Sequence, residues 1–295
     1  MVELKDGVRL YQYKGFWIPS PFLHPFIFNQ PIFQLQDTDI VLSTFPKSGT
    51  TWLKALAFAI VNRSHYPLKH SPLLTNNSHQ LVPCLERDLY AKIQSPPRLI
   101  MATHSPYGLL PVSILNCNCR IVYLCRNPLD QFVSHWHFRV RLREQTLLPV
   151  SLEEAFEMMC NGVQSFGPIW GHMLEYWRAS IEQPEKILFL KYEDLKEDIK
   201  FYVKKLANFL GCPFSEEEES QEMIKEIAKL CSFDNMKSLE VNKKGKFSNG
   251  FKNDLFFRKG EVGDWKKHLT PSMAERFEKL LEEKLEESGL TFKKL

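Results

Sequence analysis

Lys47, Gly49 and the hydroxyls of Ser48, Thr50 and Thr51 stand together in the run Thr44-Phe45-Pro46-Lys47-Ser48-Gly49-Thr50-Thr51-Trp52. A lysine, a glycine and neighbouring hydroxyls in one turn can bring backbone N–H groups, side-chain donors and a helix dipole to bear on a single anion. Such a turn suits a phosphate or a sulfate-like group. It is not a Walker A loop, which requires glycine directly before the lysine and another five residues further back. Here those positions hold Pro46 and Val41, and the proline also removes a backbone donor. A magnesium–triphosphate site and ATP hydrolysis are therefore disfavoured. A plain strand-to-helix turn with a hydroxyl cap could carry the same residues, so the turn needs chemical partners elsewhere in the chain.

Three other segments offer them. Ala102-Thr103-His104-Ser105-Pro106 presents a histidine, the natural general base near neutral pH, and Pro106 keeps Ser105 extended so that the segment is a loop. In Arg126-Asn127-Pro128-Leu129-Asp130, an N-cap, a first-turn proline and an acid start a helix, with Arg126 at the junction. Ser134 falls on that helix's face with Asp130, His137 and Phe138, so Arg126 and Ser134 form a second candidate anion site. His135 and His137 compete with His104 for the role of base. Lastly, Phe257-Arg258-Lys259-Gly260-Glu261-Val262-Gly263-Asp264-Trp265 places two cations before glycines, as a loop folding over a phosphate would.

The elements that must position these residues are legible as alternating β-rich and helical stretches. Strands are predicted at 39–45, 98–102, 120–125 and 186–191, with helices at 50–61 and 109–115. Strands separated by helices argue for an α/β fold, a parallel sheet flanked by helices on both faces. Ligands of such sheets lie beyond the carboxyl ends of the strands, which here means just after residues 44, 102, 125 and 190. No repeat, low-complexity segment or linker divides the chain, and residues 1–295 are expected to form a single domain.

Composition excludes little. The chain has 295 residues, 44% hydrophobic and 25% charged, with a net charge of +3, too small to argue for nucleic acid or a membrane surface. Lys243 to Lys246 and Lys266-Lys267 could form a local anion-attracting rim. The 7 cysteines include no C-x-x-C pair, and Cys117-Asn118-Cys119 lacks zinc-site spacing, so reduced thiols and no metal are expected. Residues 1–14 have no apolar signal core, and the apolar stretch 22–35 is broken by Pro25, Asn29, Pro31 and Gln34. A cytoplasmic protein is the expectation.

With these residues in hand, the chain resembles the cytosolic sulfotransferases over nearly its whole length. The resemblance rests on P-K-S-G-T-T-W at 46–52, T-H-S-P at 103–106, R-N-P-x-D at 126–130 with Ser134, and R-K-G-x-x-G-D-W at 258–265. Leu10-Tyr11-Gln12-Tyr13-Lys14-Gly15-Phe16-Trp17 is similar to the plant branch, whose members act on flavonoids, steroids, hormones and related small molecules. The resemblance implies a P-loop-like phosphosulfate-binding turn and transfer of a sulfonate from 3′-phosphoadenosine 5′-phosphosulfate (PAPS) to a hydroxyl of a small metabolite. The product nucleotide would be adenosine 3′,5′-bisphosphate (PAP), and no metal is needed because the donor is already activated.

It further implies a role for each motif residue. Lys47, Ser48, Gly49, Thr50 and Thr51 would hold the 5′-phosphosulfate, and Trp52 and Phe233 would sandwich the adenine near Tyr192. Arg126, Ser134, Arg258, Lys259 and Gly260 would take the 3′-phosphate. His104 would be the base and Lys47 would neutralise the leaving phosphate, with Ser134 beside them. Phe22, Tyr107, Phe138 and Phe247 are candidates for an aromatic acceptor pocket. Many animal members carry a lysine where this chain has Ala102. The family's dimerisation pattern appears as Lys266, Thr270, Pro271 and Glu275, with proline replacing valine, so a monomer or weak homodimer is expected. Two other readings make different demands. A nucleotide kinase-like phosphotransferase would need the missing Walker glycine and magnesium. A non-catalytic nucleotide-binding protein of this fold would be expected to have lost Lys47 or His104.

Overall fold

The computed structural model describes residues 1–28, 35–88, 99–142, 148–247 and 250–293. Seven strands form two sheets: β1 (Val2–Glu3), β2 (Arg9–Tyr13) and β3 (Phe16–Pro19) in one, and β4 (Ile40–Thr44), β5 (Ile100–Thr103), β6 (Arg120–Cys125) and β7 (Ile187–Lys191) in the other. The second sheet is parallel throughout, in the order β5-β4-β6-β7. Its strands match the four that the sequence predicts to within a residue or two at their described ends; Arg98, the expected start of β5, lies outside the described residues.

Both faces of this sheet are covered, and the strands show why. Ile40 and Leu42 of β4, with Val122 and Leu124 of β6, belong to one apolar core; Val41, Ile121, Tyr123 and Cys125 belong to the other. Successive side chains of a strand point to opposite faces, so a run such as Ile121-Val122-Tyr123-Leu124-Cys125 feeds both cores only if helices lie on both sides. Helix Thr50–Asn62 packs its Leu53, Leu56 and Ile60 into the first core, and helix Ile169–Glu182 contributes Met173 and Tyr176 to the second. The chain runs from β4 to one edge at β5, then returns past β4 to β6. That reversal opens a crevice at the carboxyl ends, the place where open α/β sheets bind ligands.

The short antiparallel sheet is not among the predicted elements. Tyr13 pairs with Phe16 across Lys14 and Gly15, both at positive φ (47° and 87°), which is the two-residue turn whose twist suits a hairpin. Leu10 and Ile18 are fully buried beneath it. The hairpin matters because β3 delivers Pro19, Pro21 and Phe22 to the crevice. The helix expected at 109–115 is a 3-10 turn at Tyr107–Leu109 followed by a helix at Val112–Asn116; Pro111 intervenes and serves as the N-cap. Among the described residues, no helix is long and apolar enough to cross a membrane.

Candidate functional site

The turn after β4 is shaped by two residues with left-handed backbones. Lys47 has φ 68° and Gly49 φ 107°. A Cβ on Gly49 would stand 2.9 Å from Tyr192 Cδ2 and 3.0 Å from Leu124 Cδ2, so glycine is required by both backbone and space. Gly49 is also the N-cap of helix Thr50–Asn62 and offers no side-chain cap. The plain hydroxyl-capped turn is therefore not what forms, and the first-turn N–H groups keep their anion-binding character. Buried Gln131 braces the turn by donating from Nε2 to the Pro46 carbonyl at 2.7 Å.

His104 is fixed as one tautomer. Its Nδ1–H donates to the Thr44 carbonyl at 2.7 Å, which leaves the Nε2 lone pair available. Burial pulls its pKa below the usual imidazole value, outweighing the opposing charge of Glu86 and the Thr44 bond, so the ring is neutral at pH 7. The loop carrying it is held by buried polar groups. Glu86 accepts from the His104 N–H at 2.7 Å, from the Thr103 hydroxyl, and from Cys84 Sγ at 2.9 Å. On the other side His172 donates from Nε2 to the His104 carbonyl at 3.0 Å and accepts the Tyr123 hydroxyl at Nδ1, 2.9 Å. Tyr176 donates to the Ser105 carbonyl at 2.9 Å. Burial drives the His172 pKa down to about 3, which keeps this brace neutral and its tautomer set.

The R-N-P-x-D segment and the C-terminal basic loop meet. Asn127 caps its helix by accepting from the N–H groups of Leu129 (3.0 Å) and Asp130 (3.3 Å). Asp130, fully buried, does more than favour the helix dipole: it accepts from the backbone N–H of Gly263 at 2.7 Å and of Trp265 at 3.1 Å. Arg126 donates to the Glu261 carbonyl at 2.6 Å and lies 4.6 Å above the Tyr192 ring, while Tyr192 donates to the Gly260 carbonyl at 3.1 Å. A Cβ on Gly260 (φ 67°) would come within 2.6 Å of Phe233. Asp264 receives Arg258 at 2.6 Å and Lys259 at 2.7 Å. Burial raises its carboxyl, but these bonds outweigh that effect and hold it well below the carboxylate range. Replacing Asp130 with Ala should lower stability by about 3 kcal/mol or more in urea denaturation, because it removes the carboxylate 3.7 Å from Arg126 and orphans two backbone donors together. An unchanged midpoint would mean that the loop is anchored otherwise.

These segments close around one cavity of about 690 Å³. Lys47, Gly49, Thr50, Thr51, Trp52, His104, Arg126, Ser134, Tyr192, Phe233, Arg258 and Gly260 all line it, and among the described residues no Asp or Glu does. Its polarity is divided. Trp52 meets Tyr192 edge-on at 5.3 Å near the arginines. Phe166 lies 5.7 Å from His104 and 5.9 Å from Phe22, and Phe138 sits 4.2 Å from the Lys47 ammonium. Burial, then the charges of Arg126, Arg258 and Arg141, lower the Lys47 pKa to about 7. The Arg126 Nε, Arg258 Nε and Trp52 Nε1 atoms are buried without a hydrogen-bond partner, as donors awaiting an acceptor would be.

Several predicted residues fall elsewhere. Tyr107 is off the cavity wall: its ring meets Tyr176 edge-on at 5.5 Å, and its hydroxyl accepts from Gln183 at 3.4 Å. Phe247 stands behind the wall, edge-on to Phe251 (6.2 Å) and Phe256 (5.9 Å), which take the lining position instead. Ser48 is buried beneath the turn and spends its N–H on the Phe45 carbonyl at 3.1 Å, and Lys259 turns to Asp264. Of the rival histidines, His137 packs against His268 (4.9 Å) away from the wall. His135 does line the cavity, but burial, Arg139 and Lys47 push it down to about 3. The proposed basic rim is also absent from the wall: Lys243 and Lys244 pair with Glu240, and Lys267 with Glu261. Gln131, Glu86, His172, Phe166, Phe251, Phe256 and His79 are contributors the sequence reading missed. Only the Phe-rich run 247–257 gave a signal for any of them.

Comparison with known proteins gives the chain a family. The family model for the sulfotransferase domain matches residues 37–289. Cytosolic sulfotransferase 15 of Arabidopsis thaliana is 48% identical, covering 96% of this chain and 82% of that protein. Flavonol 4′-sulfotransferase of Flaveria chlorifolia is 47% identical, covering 99% of this chain and 92% of that protein. A solved mouse sulfotransferase complexed with PAP matches with a TM-score of 0.73 at 26% identity, over 95% of each chain.

Proposed function

The chain belongs to the sulfotransferase domain family, and from that premise we propose that it moves a sulfonate group from PAPS to a hydroxyl of a small plant metabolite. One observation carries the donor assignment. The Lys47 turn and the Arg258–Gly260 loop, from opposite ends of the sequence, line the same cavity as Arg126 and His104, with no Asp or Glu among its described lining residues. The cavity's unpartnered Arg126 Nε, Arg258 Nε and Trp52 Nε1 suit a nucleotide bearing phosphate at both ends. In this reading the Lys47–Thr51 turn holds the 5′-phosphosulfate. Arg126, Ser134 and Arg258 take the 3′-phosphate, and the adenine lies among Trp52, Tyr192 and Phe233.

The reaction forms an oxygen–sulfur bond to the acceptor and breaks the sulfur–oxygen bond to the phosphate. His104 Nε2 takes the hydroxyl proton, and Lys47 offsets the charge that develops on the departing oxygen. Little covalent work falls to the protein, so positioning and electrostatics supply most of the rate. The acceptor end, walled by Pro19, Pro21, Phe22, Phe138, Phe166, Phe251 and Phe256, favours a flat apolar molecule such as a flavonoid or a steroid-like compound.

We further infer a single domain across residues 1–295 and a cytoplasmic location, the latter supported by the relatives' names. A monomer or weak homodimer is the assembly favoured here. Pro271 occupies the first turn of helix Pro271–Leu285, behind the N-cap Thr270, where its missing N–H costs nothing. PAP at a hundredfold excess over its Kd should stabilise the protein by about 2.7 kcal/mol, a shift of several degrees in Tm, with or without chelator. No shift at saturation removes the donor assignment. A screen of hydroxylated metabolites against labelled PAPS identifies the acceptor.

A further inference from the structure

Beside the Lys47 turn lies a polar chain, rooted in a buried lysine, that the proposed reaction does not use. Lys54, 2% exposed in helix Thr50–Asn62, directs its ammonium to the Val82 carbonyl at 3.0 Å and to His79 Nδ1 at 3.2 Å. His79 Nε2 lies 2.9 Å from Thr51 Oγ1. The direction of each bond follows from the groups themselves. An ammonium has only donors, so His79 Nδ1 accepts, the ring proton sits on Nε2, and Nε2–H donates to the threonine oxygen. One lone pair of Thr51 is thereby occupied and its own proton is left to donate. Thr51 lines the cavity.

The chain is rigidly mounted. His79 sits in helix Ser78–Leu81, capped by Asn77 with Gln80 completing a capping box. Asn77 in turn donates to Asn242 at 2.8 Å, and Ser78 Oγ donates to the Thr51 carbonyl at 3.0 Å. Phe256 stacks on the imidazole at 4.0 Å. His79 itself borders the cavity, but with both nitrogens engaged and a face covered its polar atoms influence a ligand through Thr51. Burial and the charges of Lys54 and Lys47 hold its pKa well below the imidazole value, which keeps the ring neutral and the order of donors intact. β5 adds no cation at this end of the sheet, since position 102 is alanine.

We propose that Lys54 and His79 are positioning residues, a relay that fixes the Thr51 hydroxyl as a donor to the 5′-phosphosulfate group. Chains of hydrogen bonds that begin at a charge polarise one another, so the relay brings the influence of a buried ammonium to the donor without exposing the ammonium itself. This rests on the PAPS assignment, and the test separates the two. Calorimetric Kd values for PAP are measured on the wild type, His79→Asn, His79→Gln, Thr51→Val and the Thr51→Val/His79→Asn pair. Asparagine can still accept from Lys54 but cannot reach Thr51, whereas the glutamine amide places an N–H where Nε2 stood.

His79→Asn should weaken PAP binding about tenfold, the worth of one hydrogen bond to a charged group. His79→Gln should recover most of that loss. In the Thr51→Val background His79→Asn should cost nothing more, because the hydroxyl it orients is gone. With PAPS as substrate, the loss should appear in KM for PAPS and in kcat, and KM for the acceptor should stay unchanged. Wild-type binding with multiplicative losses, or with asparagine and glutamine equivalent, overturns the relay and leaves the donor assignment standing. Failure of the wild type to bind PAP overturns both.

Discussion

His104→Ala should reduce turnover by on the order of 10²–10⁴-fold, the usual contribution of a general base, while PAP binds as it does to the wild type. The two effects separate because His104 is not held by the groups assigned to the nucleotide. Its Nδ1–H is committed to the Thr44 carbonyl, and its backbone is clamped between Glu86 and His172. Truncation at Cβ therefore removes the Nε2 lone pair without freeing the loop. The pH dependence has a definite sign. A base must be neutral to act, and burial lowers the His104 pKa below the ordinary imidazole value of 6.5. Turnover should rise with pH below that lowered pKa and be flat through neutrality, and the acidic limb should vanish in the alanine variant. Rates and PAP affinities measured across pH check this. Turnover retained near wild-type level removes His104 as the base.

The sequence revealed the chemistry more completely than the supports behind it, and the reason is physical. A turn between a strand and a helix is encoded by neighbours, so its geometry announces itself through local spacing. The left-handed turn at Lys47 and Gly49 was legible for that reason, as was the Asn127 cap beside Arg126. The parallel sheet was legible because strands buried on both faces are continuous apolar runs, as in β6. Contacts between distant segments leave no such trace. Nothing in the sequence pairs Glu86 with the His104 N–H, or Asp130 with Gly263 and Trp265. Asp130 was readable only as a first-turn acid. Aromatic positions were the least certain, because a phenylalanine in the core and one on a cavity wall look the same in a sequence. Phe247 was the expected residue in its segment, and the wall residues there proved to be its neighbours Phe251, Phe256 and Phe257. The β2–β3 hairpin escaped because its strands are short and its turn is Lys-Gly, not the more telling Asn-Gly.

Lys47→Met should lower turnover by on the order of 10²–10³-fold, as expected when one preorganised charge at a departing oxygen is lost. It should also abolish a proton uptake that the wild type shows on binding PAP. In the protein without nucleotide, burial and then the charges of Arg126, Arg258 and Arg141 lower the Lys47 pKa to about 7. At pH 8 the amine is therefore mostly neutral. A phosphate beside it favours the ammonium and returns the pKa toward the ordinary lysine value of 10.5. Binding at pH 8 must then draw close to one proton from solvent, and at pH 6, where Lys47 is already charged, almost none. By the same linkage, affinity for PAP should fall about tenfold per pH unit above 7, up to the pKa of the bound state. Calorimetry in buffers of different ionisation enthalpy reads the uptake directly. Methionine keeps the apolar stem over Phe138, where the ammonium lies 4.2 Å from the ring centroid, so packing is largely preserved and the charge alone is removed. The strained backbone of the turn, with Lys47 at φ 68°, then has a clear purpose. It aims an amine into a cavity that Arg126 and Arg258 also line, and under the proposed donor assignment the amine becomes fully charged only when the nucleotide arrives. Equal proton uptake in the variant and the wild type, or none in the wild type at pH 8, would show that Lys47 is not the group that titrates.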